Sequence, residues 1–412
     1  MDGLKLLVIF IVILYALYRK FSVGVTMLFA AVLTALLYQV EFPRLVQAMK
    51  ILVLSGDLLL LTAIVILVTI LGALLKDLGY LQRLSHACQG LYGGKRTAVT
   101  ILPPLVGLMP MPGGSLLSAP LVENVLADGN YLPEFKVSAN YWFRHMVEFS
   151  WPIYPGIILA HAITGMSIGQ IALLQLPLAI IMLVLGLICF TRKIEPSKNR
   201  PVSLPITIVG ILEAIWPIGL AMALFGVFGV NLSLALVVSI VSVLLINRPS
   251  RKSTTASFRS GFSYSLVLLI FGILTFQMVL DLSGAVGSIP ALAQRYALPS
   301  ELVIFLVCFT IGLLTSMSSG VVGLGYILLA GFLYDPILSP SSILLAYLSG
   351  YIGMMLSPTH LCLVLTTDYF KANLGAVYRT IIPPLLLLSG LGFLLYLSPW
   401  GRIINSYVVV IK

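Results

Sequence analysis

The segment Leu108–Pro120 reads L-M-P-M-P-G-G-S-L-L-S-A-P, with Pro110, Pro112, Gly113 and Gly114 set in an apolar stretch whose near flanks carry no charge. Prolines remove N–H donors and glycines admit sharp turns, so no regular helix runs through these residues. In hydrocarbon an unpartnered backbone group is too costly to expose, and such a break survives only where protein or a water-filled cavity covers it. A second break, Thr315–Gly325 (T-S-M-S-S-G-V-V-G-L-G), again lies between two apolar arms. Gly114 and Gly320 stand 206 residues apart, half of the 412-residue chain.

The hydrocarbon setting follows from composition. The chain is 59% hydrophobic and 9% charged, with a mean hydropathy of +1.08, which no ordinary soluble domain approaches. It reads as one polytopic helical membrane domain whose main partner is the lipid bilayer. The formal charge of +10 sits in short loops between apolar runs, where it acts as a topology signal. No basic stripe forms on any one element, so nucleic acid is excluded as a partner. Cys88, Cys189, Cys308 and Cys362 are scattered singly, without a metal-type spacing, and read as small apolar residues in helices. The basic pair Arg19–Lys20 follows the first apolar run and another span comes at once, so Leu4–Leu17 is expected to be a retained helix.

Apolar runs place spans at 4–18, 22–40 and 57–76, with a short amphipathic piece at 43–53 and a polar, basic stretch at 77–96. Interrupted segments follow at 97–127 and 141–165, then a clean span at 168–190 and a basic linker at 191–205. The second half repeats the order: spans 207–225 and 230–246, a basic loop 247–262, a span 264–283, interrupted segments 302–333 and 341–367, and a last span 377–397. Pro152 falls on Pro358 at the same shift of 206 as the two glycines. The expected fold is an all-α polytopic membrane protein of two inverted repeats, residues 1–206 and 207–412. Each repeat has three spans, a re-entrant hairpin, a broken helix and a closing span, for about 10 crossings and two hairpins in all. With both termini outside, 18 of the 24 lysines and arginines lie on the cytoplasmic side and 6 lie outside, as the positive-inside rule requires.

Hairpin tips and broken helices at the midplane aim free N–H and C=O groups inward, where N–H ends suit anions and carbonyls suit Na⁺. The residues expected to line such a site are Pro112, Gly113, Gly114, Ser115 and Ser118 at the first tip, and Thr315, Ser316, Ser318, Ser319 and Gly320 at the second. Ser150 and Tyr154 add to it from one broken helix, and Ser357, Thr359 and His360 from the other. The tip glycines are expected either to adopt positive φ or to let backbone approach a solute. Small polar residues also serve plain helix packing in membranes, and that reading stands beside the first. His145 and Glu148 are three apart on one helical face and are the candidates for proton or ion coupling, or, with Arg144, for a buried anchor. Glu213 is expected to contact a neighbouring helix, His161 and Asp281 to be interfacial, and Met109, Met111 and Met317 to serve packing.

Three strings resemble a known family: M-P-M-P-G-G-S-L-L-S-A-P, N-Y-W-F-R-H-M-V-E and S-P-T-H-L-C-L-V-L-T-T-D-Y-F-K-A. They are similar to those of the prokaryotic membrane-protein family of unknown function numbered 401 (DUF401), over nearly the whole chain. That family resembles the ion-transporter superfamily of citrate and gluconate permeases and Na⁺/H⁺ antiporters. The resemblance implies a homodimer in the plasma membrane of a prokaryote, with scaffold helices and a moving, elevator-like domain. Carboxylate members of the superfamily carry Ser-Asn-Thr at their tips, where this chain has Pro-Gly-Gly-Ser and Ser-Met-Ser-Ser-Gly.

The leading expectation is a secondary transporter of a small solute, an organic anion such as a carboxylate or sugar acid. It would be coupled to Na⁺ or H⁺ and would use no cofactor and no structural metal. A Na⁺/H⁺-type antiporter acting through Glu148 or Asp281 is the alternative within transport. A membrane-embedded enzyme is the rival class, but the chain has no H-E-x-x-H, no nucleotide-binding P-loop and no recognisable catalytic dyad.

Overall fold

The computed structural model describes residues 2–89, 94–108, 114–127, 129–195, 204–285, 293, 295–334 and 338–404. These residues are almost all helical, because intrahelical hydrogen bonding is the one way an open apolar chain satisfies its backbone in lipid. The first half gives α1 (Asp2–Tyr18), α2 (Val23–Leu37), α3 (Phe42–Val53), α4 (Gly56–Asp77), α5 (Tyr80–Gln89), α6 (Lys95–Gly107) and α7 (Ser115–Val125). It continues with α8 (Pro133–His145), α9 (Pro155–Thr164) and α10 (Ile168–Cys189). The second half gives α11 (Leu204–Gly226), α12 (Leu232–Asn247), α13 (Arg251–Gly261), α14 (Tyr264–Ser283) and α15 (Ser300–Thr315). A turn at Ser318–Gly320, a π-helix at Val321–Tyr326 and a turn at Ala330–Leu333 lead to α16 (Pro340–Met355), α17 (Leu361–Tyr369) and α18 (Leu374–Leu397).

Five helical stretches among the described residues are long and apolar enough to cross a membrane: Leu58–Asp77, Ile168–Lys193, Val209–Gly226, Arg251–Ser283 and Leu374–Leu397. The chain fits a transmembrane protein. One stretch expected as a basic loop, and another read only as polar and basic, are helical. Residues 77–96 contain α5, and the basic segment 247–262 contains α13, which is capped by the Ser250 hydroxyl accepting from Ser253 N. Both are amphipathic. Along α13 the buried Ser257 donates to Asp77 Oδ2 at 2.6 Å, and Gly261 packs directly on the backbone of Ile70. Composition disguised them, since a helix with one wet face carries the polar residues of a loop.

The helices pack in two groups. One contains α1–α5 with α11–α14, and α2 lies so close to α14 that a Cβ on Gly24 would meet the Leu268 carbonyl oxygen at 2.5 Å. The other contains α6–α10 with the helices from α15 onward, and α15 and α16 meet with the same intimacy. A Cβ on Gly312 would lie 2.0 Å from the Gly350 carbonyl oxygen. In lipid there is no hydrophobic drive between helices, so close backbone approach at small residues supplies the dispersion contact. The groups touch where α1 packs on α15, α4 on α9, α5 on α6 and α14 on the π-helix. The site lies along that seam.

Both broken segments of the second group have identifiable causes. The first runs through α8, a 3-10 turn (Met146–Phe149) and a non-helical link over Ser150–Tyr154 before α9 starts at Pro155. Pro155 suits the first helical turn, whose N–H groups have no intrahelical partner, and it fixes where the second arm begins. The second break separates α16 from α17 over Leu356–His360 and contains Pro358.

Candidate functional site

α15 ends on Ser316, whose φ of 58° is left-handed and whose N–H donates to the Gly312 carbonyl at 2.9 Å. That is a helix-terminating cap, unusual on a non-glycine residue. The turn throws the Ser316 hydroxyl onto the second broken segment, where its oxygen lies 2.7 Å from both Ser357 Oγ and Thr359 Oγ1. The Ser316 carbonyl accepts from His360 Nδ1 at 2.8 Å. One residue thus fastens the second tip to the second break.

The first broken segment brings charge to the same place. Arg144 donates to Glu148 Oε1 at 3.1 Å, with both side chains buried. His145 is fully buried; its Nδ1 donates to the Tyr141 carbonyl at 2.7 Å, and its Nε2 lies 3.0 Å from His360 Nε2 and 3.9 Å from Glu148 Oε1. Three tyrosines hold the crossing by donating to main-chain oxygens: Tyr351 to His145, Tyr347 to Glu148 and Tyr141 to Met355, at 3.0, 2.8 and 3.2 Å.

A cavity of about 280 Å³ opens at this convergence. Arg144, Glu148, Tyr154, His360 and Cys362 line one side, together with Ser316, Met317, Ser318 and Ser319, while Val65, Val68 and Thr69 of α4 and Leu266 of α14 close the other. The first turns of α9 and α17 both reach it through Pro155, Leu361 and Cys362. Unpaired N–H groups at two helix starts, a guanidinium and several hydroxyls can together hold an oxyanion.

Among the expected site residues, Tyr154, Ser316, Ser318, Ser319, His360 and Glu148 line the cavity. His145 lies directly behind His360, and Ser357 and Thr359 belong to the Ser316 hydroxyl cluster. Pro112 and Gly113, like Met109 and Met111, lie outside the described residues. Ser115 and Ser118 lie outside the cavity lining. Both are buried and engaged in structure, Ser115 Oγ donating to the Cys362 carbonyl at 2.9 Å and Ser118 Oγ to the Ser115 carbonyl at 3.1 Å. Thr315 bonds back to its own helix at Ile311, and Ser150 closes the 3-10 turn without reaching the cavity wall.

Of the two roles expected of the tip glycines, positive φ is not the one Gly114 and Gly320 adopt. Gly114 (φ −56°) and Gly320 (φ −66°) are right-handed, and the left-handed residue at the second tip is Ser316. Gly320 is needed for space, because an added Cβ would lie 2.8 Å from Thr315 Cβ. Met317 borders the cavity instead of packing in the core, and Glu213 is exposed on its helix instead of packed between helices.

Arg144 and Cys362 are the cavity residues whose importance the sequence did not bring out. Arg144 carried a signal, being a cation inside an apolar run. Cys362 carried only its closeness to His360, two residues before it, since His145 is remote in sequence.

The profile of a family described as "Protein of unknown function (DUF401)" matches residues 3–398. A search of curated proteins finds no match. By the extent of the first match, the chain belongs to that family.

Proposed function

Proceeding from that membership, we propose that the protein is a secondary active transporter of a small organic anion, a carboxylate or sugar acid, driven by a Na⁺ or H⁺ gradient. It works as a homodimer in the plasma membrane of a prokaryote by elevator-like alternating access, and it releases its solute unchanged. The observation that carries the reading is the cavity on the seam between the two helix groups. It is lined by one buried cation, hydroxyls and two helix starts on one side, and by an apolar wall on the other. A solute held by the second group and sealed by the first is what a sliding mechanism requires. Glu148, paired with Arg144, is the carboxylate placed to sense a coupling ion by its charge.

Two inverted repeats support that motion. The starts of α8, α9 and α10 at Pro133, Pro155 and Ile168 recur at Pro340, Leu361 and Leu374, shifts of 207, 206 and 206 residues. Tyr351 and His145, which meet at 3.0 Å, are themselves 206 apart, as position-equivalent residues are beside a two-fold axis. At 13 and 11 residues, α6 and α7 rise only about 20 and 17 Å, short of a hydrocarbon core of about 30 Å. Re-entrant hairpins at 97–127 and 302–333 satisfy that geometry, with both termini outside.

The test is a thermal-shift screen of purified protein against carboxylates, sugar acids and Na⁺, followed by uptake into liposomes under an imposed ion gradient. A transported anion stabilises the protein by mass action and accumulates unchanged. Stabilisation without accumulation, or chemical turnover of the anion, would overturn the reading.

A further inference from the structure

A ring nitrogen of His145, a ring nitrogen of His360 and Cys362 Sγ all lie within 4.8 Å of one another, and all three residues are buried. The orientation of the two imidazoles is the informative part. Each Nδ1 faces a main-chain carbonyl, that of Tyr141 at 2.7 Å and that of Ser316 at 2.8 Å. A carbonyl oxygen only accepts, so each Nδ1 carries its ring's proton. Neutral rings held this way turn two bare Nε2 lone pairs towards each other at 3.0 Å, and such a pair is stable only with a cation shared between them. A ligating histidine ordinarily donates its other ring N–H to just such a carbonyl, which fixes the tautomer and orients the ring.

The third donor decides which cation. A shared proton would satisfy the two nitrogens and leave the convergence of Cys362 without a purpose. Two imidazoles and a thiolate are the donor set of zinc and its first-row neighbours, whereas Na⁺, Mg²⁺ and Ca²⁺ take oxygen. We propose that His145, His360 and Cys362 form a binding site for a thiophilic divalent cation of the zinc type, with its fourth coordination position open to the cavity. Two zinc–nitrogen bonds of about 2.0–2.1 Å meeting at a tetrahedral angle set the nitrogens about 3.3 Å apart. The pair therefore needs to open by only a few tenths of an ångström. His360 and Cys362 border the cavity while His145 closes the rear, so the remaining position faces the space where a water or an anionic oxygen can enter. Glu148 Oε1 is near, at 3.9 Å from His145 Nε2, but is held by Arg144. Three protein ligands with one open position is the pattern of metal sites that handle a ligand, as distinct from closed structural sites.

The site stands independently of the transport reading and is tested without it. Full-length protein is purified in detergent, stripped with a chelator and titrated with Co²⁺, whose spectrum reports its donors. The expected result is one Co²⁺ per chain, displaced by Zn²⁺, with tetrahedral d–d bands and a thiolate-to-cobalt charge-transfer band. Cys362→Ser removes the charge-transfer band, and Cys308→Ser, on a different helix, keeps it. Loss of one first-sphere imidazole in His360→Gln lowers Co²⁺ affinity by about tenfold or more, since even an outer-sphere partner is worth that much. Wild-type protein that takes up no Co²⁺, or a charge-transfer band that persists in Cys362→Ser, overturns the site and leaves a shared proton as the cation between the rings.

Discussion

The two breaks stand in equivalent places in the two halves of the chain and do different chemistry. At the first tip Ser115 and Ser118 are buried and bonded to main-chain carbonyls, Ser115 joining α7 to α17 and Ser118 bonding within α7, and neither lines the cavity. At the second tip Ser316, Ser318 and Ser319 face the cavity. The broken helices divide the work the other way. The first supplies Arg144, His145 and Glu148, and the second supplies His360, Cys362 and the hydroxyls of Ser357 and Thr359. What the halves share is the spacing of helix starts, α8, α9 and α10 recurring 206 or 207 residues later as α16, α17 and α18. What they do not share is side-chain function, since each polar group at the cavity is supplied only once.

The largest expected effect tests the charge asymmetry. Arg144→Met leaves Glu148 buried without its cation, which costs about 3–5 kcal/mol, and should abolish solute binding. Thermal unfolding in detergent and the solute thermal shift read both parts. Wild-type stability and binding in this variant would erase the contrast between the halves.

Next comes the steric contrast between the α15–α16 contact and the tip that follows α15. Gly312→Ala drives a Cβ to 2.0 Å from the Gly350 carbonyl oxygen, and main chain yields poorly, so about 1–3 kcal/mol is expected. Gly320→Ala meets the side chain of Thr315 at 2.8 Å and should cost less, because that side chain can turn. Equal midpoints for the two variants would show that the tip is as rigid as the helix pair behind it.

The two tips are compared directly by serine deletion. Ser115→Ala removes a bond to a carbonyl that Thr366 Oγ1 also occupies, so stability should fall by about 0.5–1.5 kcal/mol with solute affinity unchanged. Ser316→Ala removes the links to Ser357 and Thr359, so it should lower stability by about 0.5–1.5 kcal/mol and also weaken solute affinity by about two- to tenfold. Affinities that move together in both variants would mean that the tips do not differ in role.

The smallest effects concern the symmetric tyrosine pair. Tyr347→Phe and Tyr141→Phe each delete one bond from a hydroxyl to the opposite broken helix, about 0.5–1.5 kcal/mol apiece. Matching losses in unfolding midpoint are expected. A large loss in one alone would show that the crossing leans on one half.

The sequence on its own determined the class of the molecule, the position of most helices and the existence of both breaks. Hydropathy over a window and the backbone restrictions of proline are local properties, so Pro152 and Pro358 marked the broken helices without reference to any neighbour. It read α13 as a loop and α5 as no more than a polar stretch for the same reason, because their apolar faces are visible only against α4 and α11. The tertiary structure alone decided which polar groups meet. His145 and His360 lie 215 residues apart and Ser115 and Cys362 lie 247 apart, and no spacing along a chain encodes which face of one helix turns to another. It also decided which of two similar serines is bound to main chain and which faces space, because that choice is made by the neighbour a hydroxyl finds within reach. Chain-local physics sets where a helix must break. Packing sets what the break is used for.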